Sequence, residues 1–438
     1  MRTILVVCPS HRDYREIAAL GVERRHRVLF HEYASIELEQ MVAPAPMLTP
    51  VRDALEEIDG IVERFSAGGP DGVVSTDDYP GSTLAGIVAE RFGLPGVPAM
   101  VNLRCQHKYH SRLLQQAVVP HAVPEFALAA GDEVAGLEFP VFVKPIKSFF
   151  SVGAYRVEDA QAFSKALARA TLPEPFFDPL RRLFERYAGC GFGPSRVLVE
   201  ELLEGVQVTV EGYAFSGTVQ VFGIVDSVLF PGTLAFRRFE YPSSLPSAVQ
   251  DRMAGIAAQV MTGIRFDNGL FNIEMMYDPT RERIHIIEIN PRMASQFADL
   301  YEKVDGFNTY ELLIDLALGK EPSLRRGQGP HRRAASCVLR TFEDRRVVRV
   351  PSEEDVAGVM ERYSDARVEI LTAPGRCLSE EMQDSESYRY GLVSLGGGDL
   401  DDILGALEEC ERRLGFVLEP VEASGAERVA GVSGRRTV

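Results

Sequence analysis

Residues 269–292, GLFNIEMMYDPTRERIHIIEINPR, carry Asn272, Glu274, Glu288 and Asn290 at spacings that suit a β-hairpin. Asp278–Arg283 reads as a turn, and folding the flanking runs symmetrically about Arg281 sets Glu274 opposite Glu288 and Asn272 opposite Asn290. In that register Ile273 meets Ile289 and Met275 meets Ile287, an apolar face ready for a helix layer, while the four polar residues share the other face. Two carboxylates directly opposite each other destabilise a sheet unless they face water or something positive lies between them. A hard cation with oxygen ligands answers that repulsion, and Mg²⁺ typically combines one or two carboxylates with substrate phosphates. Arg292, just past Asn290 and Pro291, adds a fixed cation whose bidentate fork suits a transferring phosphoryl group or a carboxylate.

The elements around this hairpin follow from apolar periodicity. Over residues 1–100, strand-like runs (Ile4–Val7, Val28–Phe30, Gly72–Ser75) alternate with helical ones (Val51–Phe65, Ser82–Phe92), which predicts an open parallel sheet. No GxGxxG follows any of these strands, so a dinucleotide is not expected there. Asn102–Ala117 reads as a helix, and the prolines of VVPHAVPEF mark a boundary. Beyond it come strands Phe139–Val143 and Val197–Leu203, and an antiparallel pair, Val206–Phe215 with Val219–Val225, joined at Ser216-Gly217. Helix Ser247–Ile264 precedes the carboxylate hairpin and helix Thr309–Leu318 follows it. Gly319–Arg333, rich in Gly, Pro and Arg, reads as a linker into a last α/β module, and 421–438 as a tail without apolar periodicity.

With 438 residues, 45% apolar and 25% charged, the chain is long enough for several globular domains and too apolar to be disordered. Its 47 basic against 63 acidic side chains leave a net charge of −16, which repels nucleic acid and anionic membranes, so neither is an expected partner. Six scattered cysteines form no close pair, which predicts buried free thiols and a reducing compartment. MRTILVVCPS fits a first strand rather than a signal peptide, and no apolar run reaches the roughly 20 residues of a membrane span. A cytoplasmic location is the expectation.

Taken in order, Lys108 in the linker helix, Lys144 in FPVFVKP, the acidic strand LVEELLEG at 198–205, Glu274 and EINPR at 288–292 resemble an ATP-grasp ligase. The resemblance runs over roughly residues 100–320 and is closest to the carboxylate–amine ligase branch, which includes L-amino-acid ligases and biotin-carboxylase-like enzymes. It implies an α/β protein with an ATP-grasp fold: an N-terminal parallel-sheet domain (1–100), a linker helix (101–119), a small lid lobe (120–203), a large lobe with the metal site (204–320) and a C-terminal α/β module (334–420). It implies ATP between the two lobes, with Mg²⁺ or alternatively Mn²⁺. Lys108 and Lys144 would contact phosphates, the backbone of Glu200 and Leu203 would read adenine, and Glu201, Glu204 or, preferentially, Glu211 would contact ribose or substrate. Many relatives of this kind are dimers. The lid lobe should be mobile, because closure must keep water from a reactive intermediate.

Two segments depart from the family pattern. The phosphate loop reads KSFFSVG, retaining only Gly153, with Ser148 and Ser151 as small polar members, so either it closes with Phe149 and Phe150 outside or it grips ATP loosely. After EINPR the chain has MASQF where glycines are common. The chemistry expected is transfer of the γ-phosphoryl group to a carboxylate and attack of an amine on the acyl phosphate, releasing ADP and phosphate. Glu274, Glu288 and Asn290 would hold the metal, and Arg292 would bind the reacting carboxylate and stabilise the oxyanion. Arg237 and Arg238, in DSVLFPGTLAFRRFEYPSSLP, are candidates for an anionic group of a small-molecule substrate. Two other readings remain open: a bicarbonate- or formate-activating ATP-grasp enzyme, biotin-carboxylase-like or purine-biosynthetic, and a non-catalytic nucleotide binder.

Overall fold

The computed structural model describes residues 1–43, 46–129, 134, 136–381 and 387–421. The tail expected over 421–438 lies outside these residues apart from Val421. Three parallel strands, in the order His26–His31, Arg2–Val7, Gly72–Val74, form the N-terminal sheet. Their continuous apolar runs reflect burial on both faces. Leu5, Val7 and Val73 pack with Ile58, Leu84 and Val88 of two helices, while Ile4, Val6 and Val74 pack with Ile17, Tyr310, Leu312 and Leu316. The latter face therefore shares its core with helix Thr309–Ala317, far along the chain.

The lid lobe is a four-stranded antiparallel sheet in the order Phe126–Leu128, Val197–Glu201, Val141–Pro145, Tyr155–Val157, covered by helix Ala160–Ala170 through Phe163, Ala166 and Ala170. A second helix, Glu174–Tyr187, was not legible because Pro175 and Pro179 interrupt its pattern. Its Phe176, Phe177, Leu180, Leu183 and Phe184 are fully buried in the core that also holds the N-terminal helices. Tyr79 fastens it there, donating its hydroxyl to Phe176 O at 2.8 Å and accepting from Leu180 N at 3.1 Å. The second helix thus belongs to the N-terminal core, while the first packs on the small-lobe sheet.

The large sheet has eight strands in the order Arg283–Asn290, Gly269–Asp278, Val206–Phe215, Thr218–Leu229, Phe236–Tyr241, Arg333–Thr341, Tyr388–Gly397, Arg367–Ile370. The segment read as a separate C-terminal module thus continues the large-lobe sheet: Arg333–Thr341 pairs with Phe236–Tyr241, with Arg238 opposite Cys337. The strand Phe236–Tyr241 would otherwise be an edge with unpaired N–H and C=O groups, and this pairing satisfies them. Helix Ser247–Gly263 lies over strands Val206–Phe215 and Thr218–Leu229, and its Met253, Ala257 and Val260 share one core with Ile273, Met275, Ile286 and Ile289 of the hairpin, as the alternation requires. All six cysteines are free thiols, five buried and Cys190 half-buried. Among the described residues no helix is long and apolar enough to cross a membrane.

Candidate functional site

At the inner end of the hairpin Asn272 pairs with Asn290, Ile273 with Ile289, and Glu274 with Glu288. Nearer the turn the register shifts, so Met275 meets Ile286 and not Ile287. The shift arises because Asp278 already pairs with Arg283, a turn one residue shorter than symmetry about Arg281 implies, and the surplus residue is absorbed as a bulge at Ile287. Its carbonyl accepts from Arg112 Nη2 at 2.8 Å and from Lys144 Nζ at 3.4 Å. The bulge thus brings the hairpin to the linker helix and to the lid.

Lys108 reaches the hairpin because the predicted single helix over 102–117 is broken at His107. The chain forms Ala99–Gln106 and Lys108–Val118, with His107 extended between them and its ring nitrogen accepting from His110 N. Lys108 N–H, freed from the first helix, donates to Ile146 O at 2.8 Å. The Lys108 ammonium then lies 2.7 Å from Glu288 Oε1. A cation in the first turn of a helix opposes the helix dipole, and Glu288 offsets it. Arg112, one turn on, donates Nε to Glu200 Oε1 at 2.5 Å, and Lys144 Nζ is 2.6 Å from Glu200 Oε2.

These charges sort the carboxylates. Burial and the facing Glu288 push Glu274 up to about 7. Burial would raise Glu288 too, but Lys108, Lys144 and Lys147 hold it below the usual carboxylate range. Burial works against Glu200 as well, yet Arg112 and Lys144 bring it down to about 2. Burial also lowers Lys144, in spite of Glu200. Two opposed carboxylates, one of them pushed up by burial and by its like-charged neighbour, fit a hard divalent cation. Asn290 donates its amide N–H to Asn272 Oδ1 at 3.3 Å, which leaves its carbonyl oxygen as a third donor. Among the described residues no cluster of three or more His, Cys, Asp and Glu side chains forms a metal-ligand set. Two carboxylates and an amide oxygen leave the rest of a Mg²⁺ shell to phosphate and water, the arrangement this ion favours.

Several predicted ligands are placed otherwise. Glu211 stands opposite Asn272 on the carboxylate face, fully buried, accepting from Tyr301 Oη at 2.8 Å, from Ala294 N at 2.9 Å and from Asn272 Nδ2 at 3.4 Å, so its oxygens hold the 290–294 segment. Glu200 lies in a strand paired on both sides, which commits its main chain to the ladder; its side chain, not its backbone, serves the site. Glu201 ends that strand, its N–H donated to Glu125 O at 2.9 Å, and Leu203 lies just past it. Glu204 is exposed and pairs with Arg156. Arg238 is ion-paired to Glu240 at 2.5 Å, and Arg237 is exposed beside the Phe230 ring at 5.8 Å. Both arginines are near Cys337, in the core cluster with Val359 and Ile403, and are engaged away from the hairpin.

The phosphate loop is folded on itself and on its neighbours. Ser148, buried, donates its hydroxyl to Val152 O at 2.6 Å. Phe150, Ser151 and Gly153 have φ of 50°, 58° and 74°, so two non-glycine residues adopt the left-handed backbone that glycine would take more readily. Phe149 is not outside: its ring packs edge-on against Phe176 at 5.6 Å. Phe150 is exposed, with the Arg389 guanidinium 4.1 Å from its ring centroid.

Three residues absent from the sequence reading complete the site. Arg112 carried a signal, since it lies four residues after Lys108 on one helix face. Lys147 is fully buried in the phosphate loop, its Nζ 2.5 Å from both Asp78 Oδ2 and Gln106 Oε1. Asp78 also accepts Arg292 Nε at 3.0 Å. It follows the last parallel strand, at the carboxyl end of the sheet where open α/β sheets bind ligands.

Residues 137–299 match the family model for the ATP-grasp domain. Over 204 residues the chain is 28% identical to a D-alanine–D-alanine ligase of Kineococcus radiotolerans, covering 44% of this chain and 51% of that protein. It is 23% identical over 226 residues to the C-terminal section of the carbamoyl phosphate synthase large chain of Methanopyrus kandleri, covering 48% of this chain and 36% of that protein. The chain thus spans about half or less of the curated relatives it matches. Its fold is similar to that of an L-amino acid ligase from Bacillus licheniformis, with a TM-score of 0.70 at 16% identity, covering 95% of this chain and 98% of the other.

Proposed function

We propose that this chain, an ATP-grasp protein through its domain at residues 137–299, is an ADP-forming ligase that joins the carboxylate of an amino acid or similar small acid to an amine. The observation that carries this reading is the pair of opposed carboxylates, Glu274 and Glu288, with Lys108 on one of them and Arg292 just past the same strand.

Lys108 and Lys144, already buried as cations beside Glu288 and Glu200, exchange these carboxylate partners for phosphate oxygens when nucleotide enters, so neither lysine has to be newly desolvated. Glu274, Glu288 and the Asn290 carbonyl would hold Mg²⁺, which when bound would supply neutralisation of phosphoryl charge. Arg292 has committed Nε to Asp78 and one Nη1 hydrogen to Met293 O at 3.1 Å, so its Nη2 edge is the part left to hold the reacting carboxylate. A carboxylate oxygen attacks the γ-phosphorus, the bond to the bridging oxygen of ADP breaks, and an acyl phosphate results. The amine then attacks the acyl carbon, Arg292 stabilises the tetrahedral oxyanion, the C–O bond to phosphate breaks, and the amine proton leaves with phosphate or water. The loop at 147–153, fastened to the N-terminal core through Phe149 against Phe176, would serve to exclude water from the acyl phosphate.

The test is nucleotide product formation with Mg²⁺-ATP across a matrix of amino acids and small carboxylates, singly and in pairs, with mass analysis of responding wells. ADP with a new mass equal to two substrates less water is the expected result. ADP with bicarbonate or formate alone would assign the bicarbonate or formate chemistry instead, and AMP would exclude the acyl-phosphate route.

Glu274 also predicts a metal-linked pH dependence. Its folded pKa is raised from 4.5 to about 7, so the metal-free fold binds an extra proton across that interval. The stabilisation this gives is fully present below about 4.5 and is lost as pH rises toward 7. Mg²⁺ competes with the proton, so the rise in melting temperature on adding Mg²⁺ with a non-hydrolysable ATP analogue should grow through this interval. Glu274→Gln should flatten it. A metal-induced shift independent of pH in the unaltered protein would remove Glu274 from the metal site.

A further inference from the structure

Asp78 belongs to the N-terminal domain, yet its two oxygens serve the other lobes. Oδ1 accepts Arg292 Nε at 3.0 Å across 214 residues of sequence, and Oδ2 lies 2.5 Å from Lys147 Nζ of the phosphate loop. Its backbone is fixed as well: Gln106 Nε2 donates to Asp78 O at 2.8 Å and to Ser82 Oγ at 3.0 Å, while Gln106 Oε1 receives Lys147. Asp78 thus has one conformation in which both cations are paired, and these cations hold its carboxylate well below the usual range against the effect of burial.

A guanidinium presents two edges, and an unpaired arginine loses rotamer freedom when a substrate immobilises it. Asp78 takes the Nε edge beforehand. The Nη2 edge is then aimed by a contact that substrate does not have to supply.

We propose that Asp78 is a positioning residue for Arg292, holding the guanidinium by Nε so that Nη2 meets the reacting carboxylate, and tying that placement to the phosphate loop through Lys147. This deepens the ligase reading and rests on it for the role of Arg292. It makes the N-terminal domain part of the reaction geometry and not only a support for the large lobe.

The test uses the full chain carrying Asp78→Ala, Lys147→Met alone, and Asp78→Ala with Lys147→Met so that no buried ammonium is left unpaired. Each is made with Arg292 and with Arg292→Lys. ADP release is measured as a function of an equimolar mixture of proteinogenic L-amino acids, and separately of bicarbonate; Mg²⁺-ADP affinity and melting temperature are measured alongside. The expected result is that D78A/K147M raises the carboxylate concentration needed for half-maximal release about tenfold or more above that of Lys147→Met alone, with a Mg²⁺-ADP affinity within about twofold of that single variant. In the Arg292→Lys background the same change should have little further effect, because the group it positions is gone. Asp78→Glu should recover part of the loss.

Equal losses in both backgrounds, or a parallel loss of Mg²⁺-ADP affinity and melting temperature, would overturn the proposal in favour of a structural role. If bicarbonate stimulates release and amino acids do not, the amide-ligase reading fails while the Asp78–Arg292 comparison is still read in bicarbonate. If neither stimulates release by the unaltered protein, both fall.

Discussion

Glu288→Gln gives a folded protein whose Mg²⁺-dependent ADP release falls by about 10³-fold or more, since a lost metal ligand removes several kcal/mol of charge stabilisation in the transition state. The fold survives because the change removes a repulsion along with an attraction. Lys108 loses its partner at 2.7 Å, but Glu274 loses the like charge facing it across the hairpin. Gln retains the shape, and the apolar side of the hairpin, Ile273 and Ile289 in one core with helix Ser247–Gly263, is untouched. The two readouts are ADP release and melting temperature. Activity within tenfold of the unaltered protein would show that Glu288 is not a metal ligand, whereas loss of both activity and fold would make its pairing with Lys108 the main role.

Arg292→Lys lowers kcat/KM for the carboxylate by about 10²- to 10³-fold, the size of effect seen when one oxyanion donor is removed. Lysine keeps the charge but has no fork, so it cannot satisfy Asp78 with one edge and substrate with the other. In this variant the ammonium can pair with Asp78 and leave the substrate side without a donor. Mg²⁺-ADP affinity should be retained, because the residues placed toward phosphate are Lys108 and Lys144. A fall of less than tenfold would remove Arg292 from the reacting carboxylate, and a matched loss of nucleotide affinity would place it on the phosphates.

The pairing of Glu274 with Glu288 was legible because strand alternation is strictly local: the period of two and a short turn fix which residues face each other within about 20 positions. Helix Ser247–Gly263 and the parallel strands were legible for a similar reason, since their apolar patterns report burial without naming what covers them. The bulge at Ile287 escaped this reading because a turn one residue shorter and a bulge one residue longer cancel at Glu288. Glu211 looked like a ligand because its type and strand position suit one, and only the packing of Tyr301 and Ala294 against it shows that its oxygens are already used.

By itself, then, the sequence determined the carboxylate face, the places along the chain of the longer apolar strands and the presence of lysines ahead of them. Tertiary structure decided the counterions: Glu200 for Arg112 across 88 residues, Asp78 for Lys147 across 69, and Asp78 for Arg292 across 214. It also decided that the C-terminal strands extend the large sheet and that helix Glu174–Tyr187 joins the N-terminal core. The physical reason is that backbone periodicity is written in neighbouring residues, whereas a buried charge is stabilised by whichever opposite charge the folded chain brings within about 3 Å, and no local pattern encodes that partner.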